Sequence, residues 1–137
     1  MDDDDRQVLH EILGRGEGFG HRQHVELAWR YLAIHSADQA PDAIAGAIKQ
    51  VAAAHGEPGR FHETITRSWA RCVAVHRERW PASTFPEFLD RNPQLLDPRL
   101  LDRFYSPELL GSQEARARWV APDRHPLPAH SATFDGP

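Results

Sequence analysis

The chain has 137 residues and a formal net charge of −4, and a length of this order predicts one domain with its own core. Four of its 20 acidic residues form the run Asp2 to Asp5, so the other 16 balance the 16 Lys and Arg. No basic stripe is left to hold a phosphate backbone, and we therefore do not expect nucleic acid as a partner.

The cysteine content and the hydropathy pattern indicate the cellular compartment in which the protein is expected. The single cysteine, Cys72, excludes an internal disulfide, and we interpret it as a small buried apolar residue. Because the first residues show no basic and apolar leader, we expect a cytoplasmic protein. No apolar run approaches the roughly 20 residues that cross a bilayer, so we expect no membrane partner.

Apolar periodicity predicts four main helices in the first part of the chain. Residues 5–13 predict a short amphipathic helix, and glycine at every second position from 14 to 20 then predicts a mobile connector. Residues 21–35 predict a central helix with a wide apolar stripe. Residues 36–55, which open on a capping box and precede Gly56, predict the third helix, and residues 61–78 predict the fourth.

Beyond residue 80 the pattern changes to short segments with caps and first-turn prolines, and nine of the 11 prolines lie there. The capping signals are Thr84 with Glu87, Asp97-Pro98 and Ser106-Pro107. We predict an all-α fold, a compact bundle of about four main helices with a C-terminal wrap of short helices. One domain is expected over residues 1–122, followed by an extended, proline-rich tail over 123–137.

Histidines on two helices are expected to meet at one end of this bundle. His21 and His24 lie on the apolar face of the second helix, in its first turn, and His62 lies on that of the fourth. Short loops predict an up-down-up order, so these helices run parallel and the three histidines lie level. Three neutral imidazoles with one side open are typical of a catalytic metal site, for zinc, iron or copper.

Other residues near this cluster suggest further roles. Glu63 is a candidate acid or base, Thr66, Trp69 and Tyr105 are candidate substrate-binding residues, and the glycine connector is a candidate lid. Two helix N-termini at one place would also attract an anion without any metal. The alternative is structural, with His21 and His24 partly exposed at a helix start and His62 bonded to a loop carbonyl. We assign structural roles to the histidines near helix ends, which are His35, His55 and His76.

Three blocks resemble a family of small, largely uncharacterised bacterial helical proteins: GHRQHVELAWRYL at 20–32, FHETITRSW at 61–69 and FYSPELLGSQEARARWVAPD at 104–123. In the family pattern a threonine often precedes the first histidine and a tyrosine often precedes H-E-T. This chain has Gly20 and Phe61 there, so two hydroxyls are missing from the rim of the expected site. The resemblance implies a bacterial protein and supports the histidine positions, but it implies no activity.

These observations leave three hypotheses. The first is a metal-dependent enzyme that acts on a small organic substrate, with one divalent metal on His21, His24 and His62. The second uses the same histidines and Glu63 without metal, in an acid/base enzyme or a protein that binds a small anion. The third is an interaction module whose histidines are structural. The sequence does not indicate an oligomeric state.

Overall fold

Four amphipathic helices form the body of the molecule, in the order that the sequence predicts. In the computed structural model, which describes residues 2–129, they are α1 (Asp3–Leu13), α2 (His21–Tyr31), α3 (Ala40–Ala54) and α4 (Glu63–Arg79). No β-strand occurs in this part of the chain, which confirms the predicted all-α class.

The apolar faces of these helices bury one common core. α4 packs against both α2 and α3, and α1 packs against α2. Each helix contributes side chains that are fully or almost fully buried: Ile12, Val25, Leu27, Tyr31, Ile44, Trp69, Val73. Burial of this apolar surface is the main favourable term in the folding of such a domain.

α2 ends at Tyr31, four residues before the predicted end. The Tyr31 carbonyl accepts hydrogen bonds from the backbone N–H of both Ile34 and His35, which turns the chain away from the helix axis. The His35 imidazole then lies 2.7 Å from the buried carboxylate of Asp5, and the Tyr31 hydroxyl donates to the Asp5 carbonyl. The start of α1 is therefore docked against the end of α2, and this contact favours the early end.

The C-terminal wrap is built from the short capped helices that the sequence predicts. They are α5 (Phe85–Arg91), two 3₁₀ segments (Pro93–Leu96 and Pro98–Arg103), α6 (Pro107–Leu110) and α7 (Gln113–Ala117). The side chains of Thr84, Asp97 and Ser106 each accept a first-turn backbone N–H, as their cap signals predict. The wrap lies against α2 through Pro93–Leu96 and against α4 through α7.

Residues 118–129 continue without helix and pack against the body. Leu127 belongs to the core, and the Asp123 carboxylate accepts from both the backbone N–H and the hydroxyl of Ser106. The rest of the predicted tail, residues 130–137, lies outside the described residues. Within residues 2–129 no helix is both long and apolar enough to span a membrane.

Candidate functional site

The fourth helix begins with a histidine whose two ring nitrogens are both bonded within the protein. His62 is the N-cap of α4, and its Nδ1 accepts from the backbone N–H of Ile65 at 3.1 Å. Its Nε2–H donates to the carbonyl of Leu110 in α6 at 2.7 Å. Burial lowers the pKa of His62, which favours this neutral form, although the bond to Leu110 acts in the opposite direction. No lone pair is left for a metal ion.

Thr64 makes a second connection between the same helix start and the wrap. Its buried hydroxyl donates to the carbonyl of Arg118 at 2.8 Å and accepts from the backbone N–H of Val120 at 3.1 Å. Sequence reasoning missed this role, although a polar residue on an inward face is the signal that could have indicated it. We call His62 and Thr64, with their partners Leu110, Arg118 and Val120, the clamp.

Glu63 faces the third helix. Its carboxylate accepts a hydrogen bond from Arg67, one turn along α4, and lies 3.9 Å from the ammonium of Lys49 in α3. Arg67 also bonds Asp42 of α3 at 2.8 Å. A carboxylate held by two cations links α3 to α4 in this structure, and nothing in its contacts supports the predicted acid or base role.

The three predicted substrate-binding residues lie in the protein interior. Thr66 and Trp69 are both 3% exposed, and Tyr105 is fully buried. The Tyr105 hydroxyl donates to the carbonyl of Val120 at 2.7 Å, and burial raises its pKa. Tyr105 thus anchors the segment that the clamp also holds, and the substrate-binding role of these three buried residues stays a prediction.

His21, the first residue of α2, contacts α4 at Trp69. The His21 ring packs edge-on against the Trp69 ring, with centroids 4.4 Å apart, and its Nε2–H donates to the carbonyl of Leu95 at 2.8 Å. Trp69 lies seven residues beyond His62, which is about 10 Å along a helix axis. Within residues 2–129 the ligating atoms of His21, His24 and His62 do not all lie within 4.8 Å of one another, so the expected convergence of the three is not observed.

His21 and His24 instead line a cavity of about 490 Å³, which we call the histidine cavity. One wall is the end of the glycine connector and the start of α2. The other walls are the second half of α3 and the turn that leads to α4. The lining residues are Gly18, Phe19, Gly20, His21, His24, Ile48, Val51, Ala52, His55, Glu57, Arg60 and Phe61.

The start of α2 carries an uncompensated positive helix end. Gly20 is the N-cap and has no side chain to accept from the first-turn N–H groups, and no acidic residue lies in that turn. The other main helices all have an acid in the first turn, for example Asp42 in α3 and Glu63 in α4. The partial positive charge at the start of α2 is therefore available to an anionic group from outside the helix.

His24 adds an unpaired polar atom to this wall. Its Nε2 is buried from solvent and has no hydrogen-bond partner among the described residues. Burial, with a smaller contribution from the charge of His21, lowers the pKa of His24 to about 4. The imidazole is therefore neutral at pH 7, with one donor and one acceptor nitrogen. An unpaired buried polar atom costs about 1 to 3 kcal/mol. Because Nε2 is closed to a water-sized group, a ligand in the cavity would bond this nitrogen only if the His24 ring turns toward it.

The far side of the cavity carries residues that sequence reasoning did not place in the site. The His55 Nδ1–H donates to the carbonyl of Val51 at 2.8 Å, so in the neutral ring Nε2 is an acceptor. Arg60 and Glu57 form an ion pair at 3.4 Å at the exposed rim. His55 was assigned a structural role because it ends α3, and only the packing of α3 beside α2 brings it to the cavity.

The glycine connector is tied at both ends. Arg15 forms a two-pronged ion pair with the buried carboxylate of Glu26, with contacts of 2.6 and 2.7 Å. The Gly20 N–H donates to the side chain of Gln23 at 2.8 Å. Between these two contacts Gly18 has a φ of +77°, a backbone conformation that residues other than glycine rarely adopt. The end of this connector, Gly18 to Gly20, forms one wall of the cavity.

One group of possible metal ligands lies elsewhere. The side chains of Asp2, Asp5 and His35 place one ligating atom each within 4.8 Å of the others. Each has a structural partner, because Asp2 caps α1 by accepting from the Asp5 N–H and the Asp5 carboxylate bonds His35. These contacts account for the group without an ion.

Comparison with known proteins adds no assignment to this geometry. No family model matches the chain, and neither a curated protein nor a solved structure matches it. The function is therefore argued from the cavity itself.

Proposed function

We propose that the protein binds a small organic anion in the histidine cavity. The observation that carries the proposal is a cavity whose wall combines the uncapped start of α2 with the ring of His24, a histidine whose buried Nε2 has no partner among the described residues. Backbone N–H groups at a helix start favour negative charge, and the neutral imidazole can supply a directed hydrogen bond. This is the metal-free hypothesis, with the site moved away from His62 and Glu63.

The volume of the cavity supports a small molecule as the ligand. About 490 Å³ lies within the range of roughly 300 to 1,000 Å³ that is typical of pockets for small molecules. Such pockets combine apolar walls with a few polar groups that set the orientation of the ligand. His21 shapes the polar wall, since its ring is fixed by the Leu95 carbonyl and by Trp69.

The test is a titration of ¹⁵N-labelled protein with sodium acetate at pH 7.5 and constant ionic strength. We expect saturable shifts of the Gly20, His21 and Arg22 amides, and at least a tenfold weaker affinity in His24→Leu. His10→Gln is the matched control, because His10 is exposed on α1 and does not line the cavity. Unsaturable shifts, or equal affinity in His24→Leu and the wild type, would overturn the proposal.

A further inference from the structure

The walls of the histidine cavity differ in chemistry, and this difference narrows the class of ligand. The class of ligand inferred from these walls depends on the proposed binding of an anion at the start of α2. Beyond that polar wall, the cavity is lined by apolar side chains: Phe19, Ile48, Val51, Ala52 and Phe61. Phe19 and Ile48 also pack against the main core, so this apolar surface is continuous with the interior.

The charges at the cavity favour a monoanion over a dianion. Arg60 and Glu57 are the two residues of the lining that carry a formal charge at pH 7 with His neutral, and they pair with each other. The start of α2 adds a partial charge equivalent to roughly half an elementary charge. That partial charge suits a single carboxylate, whereas a second negative charge would have no unpaired cation among the lining residues.

The cavity is also too large for a simple anion alone. A two-carbon anion would fill a small part of 490 Å³ and leave the apolar wall in contact with water. Phe61 is held in place by Lys49, whose ammonium lies 5.0 Å from the centre of its ring. A ligand with an apolar body would cover this wall while its carboxylate reaches α2.

We propose that the natural ligand is a monocarboxylate with an aromatic or branched apolar body, oriented with its carboxylate at Gly20 and His24 and its body against α3. Phenylacetate represents this class in the test, acetate represents the carboxylate alone, and neutral phenylacetamide represents the apolar body alone. We expect phenylacetate to bind at least tenfold more tightly than either, since apolar groups in such pockets typically contribute tenfold or more. Inorganic phosphate should bind more weakly than phenylacetate.

A pair of substitutions on α3 tests the orientation. Ala52→Leu adds bulk to the apolar wall, and Ala53→Leu makes the same change at the next position, which is exposed and does not line the cavity. We expect Ala52→Leu to weaken phenylacetate at least tenfold and to change acetate less than twofold. Ala53→Leu should change neither affinity. Thermal melts of both variants report whether the fold is retained.

The outcomes separate this inference from the proposed function. Equal affinities for acetate and phenylacetate, or equal effects of Ala52→Leu and Ala53→Leu, would overturn the ligand class and leave anion binding in place. Binding of phenylacetamide as tightly as phenylacetate would also overturn it. If none of these compounds shifts the Gly20 and His21 amides, the proposed function itself fails.

Discussion

α2 has His24 in its first turn and α4 has His62 as its N-cap, and these two histidines are bonded in opposite ways. At the start of α4, both nitrogens of His62 are bonded, and the ring joins the helix to the C-terminal wrap. At the start of α2, the Nε2 of His24 has no partner and the N-cap is glycine. A satisfied start is a structural joint, whereas an unsatisfied start beside a cavity is a candidate site. The bonding of each nitrogen therefore decides which role a histidine has.

The largest expected effect is an acid destabilisation that depends on His24. Its pKa is about 4 in the folded protein against 6.5 for an unperturbed histidine, so the unfolded chain takes up a proton first as pH falls. Stability that is fully present above pH 6.5 should decline toward pH 4, by on the order of 3 kcal/mol. The lowered pKa values of His62 and His76 act in the same direction.

Urea unfolding at pH 7.5, 5.5 and 4.5 measures this loss. In His24→Leu the free energy of unfolding should fall less between pH 7.5 and 4.5 than in the wild type. The difference is the part of the loss that protonation of His24 causes. Carboxylate protonation is common to both proteins and cancels in the difference. Parallel declines in the two proteins would show that His24 is not a buried neutral imidazole.

The next effect should come from the clamp. His62→Ala removes the helix cap and leaves the Leu110 carbonyl without its donor, which we expect to cost about 2 to 3 kcal/mol. Hydrogen exchange should become faster in α6 and α7, because their contact with α4 is weakened. His10→Ala at an exposed position should change stability by less than about 0.5 kcal/mol. Unchanged exchange in α6 and α7 would contradict the clamp.

A smaller effect of opposite sign should appear at His24 itself. At pH 7.5, His24→Leu removes an unpaired buried nitrogen, so we expect a gain of about 1 kcal/mol in the free energy of unfolding, together with lost anion binding. The matched control is His76→Leu, because the buried His76 donates to the Cys72 carbonyl at 2.7 Å. That change should destabilise by about 1 kcal/mol. A clear loss of stability in His24→Leu would place His24 with His62 as a structural residue.

The smallest effect is expected at Glu63. Glu63→Gln removes the charge that pairs with Arg67 and with the exposed Lys49, but Gln keeps an oxygen that can accept from Arg67, so the loss should be about 0.5 kcal/mol. Its acetate affinity should equal that of the wild type. A tenfold loss of acetate affinity would show that Glu63 contributes to the anion site. The start of α4 would then not be purely structural.

Much of the fold follows from local sequence signals. Apolar periodicity and caps such as Thr84, Asp97 and Ser106 act over three or four residues, and each appears where it was predicted. The early end of α2 was missed because it depends on the contact between His35 and Asp5, which are 30 residues apart. Signals that act within one helical turn could be read, and contacts between distant segments could not.

The candidate site was predicted only in part, and the reason is axial register. The sequence by itself placed His21 and His24 at the start of a helix without a first-turn acid. Both residues lie at that helix start in the structure and line the cavity. Loop lengths predict the direction of α4 but not its position along its axis. The packing of His21 on Trp69 decides that position. α3 with His55 then forms a wall of the cavity, and both ring nitrogens of His62 are bonded within the protein. Helix starts follow from local chemistry, whereas the neighbours of each start are decided by how side chains interlock between helices.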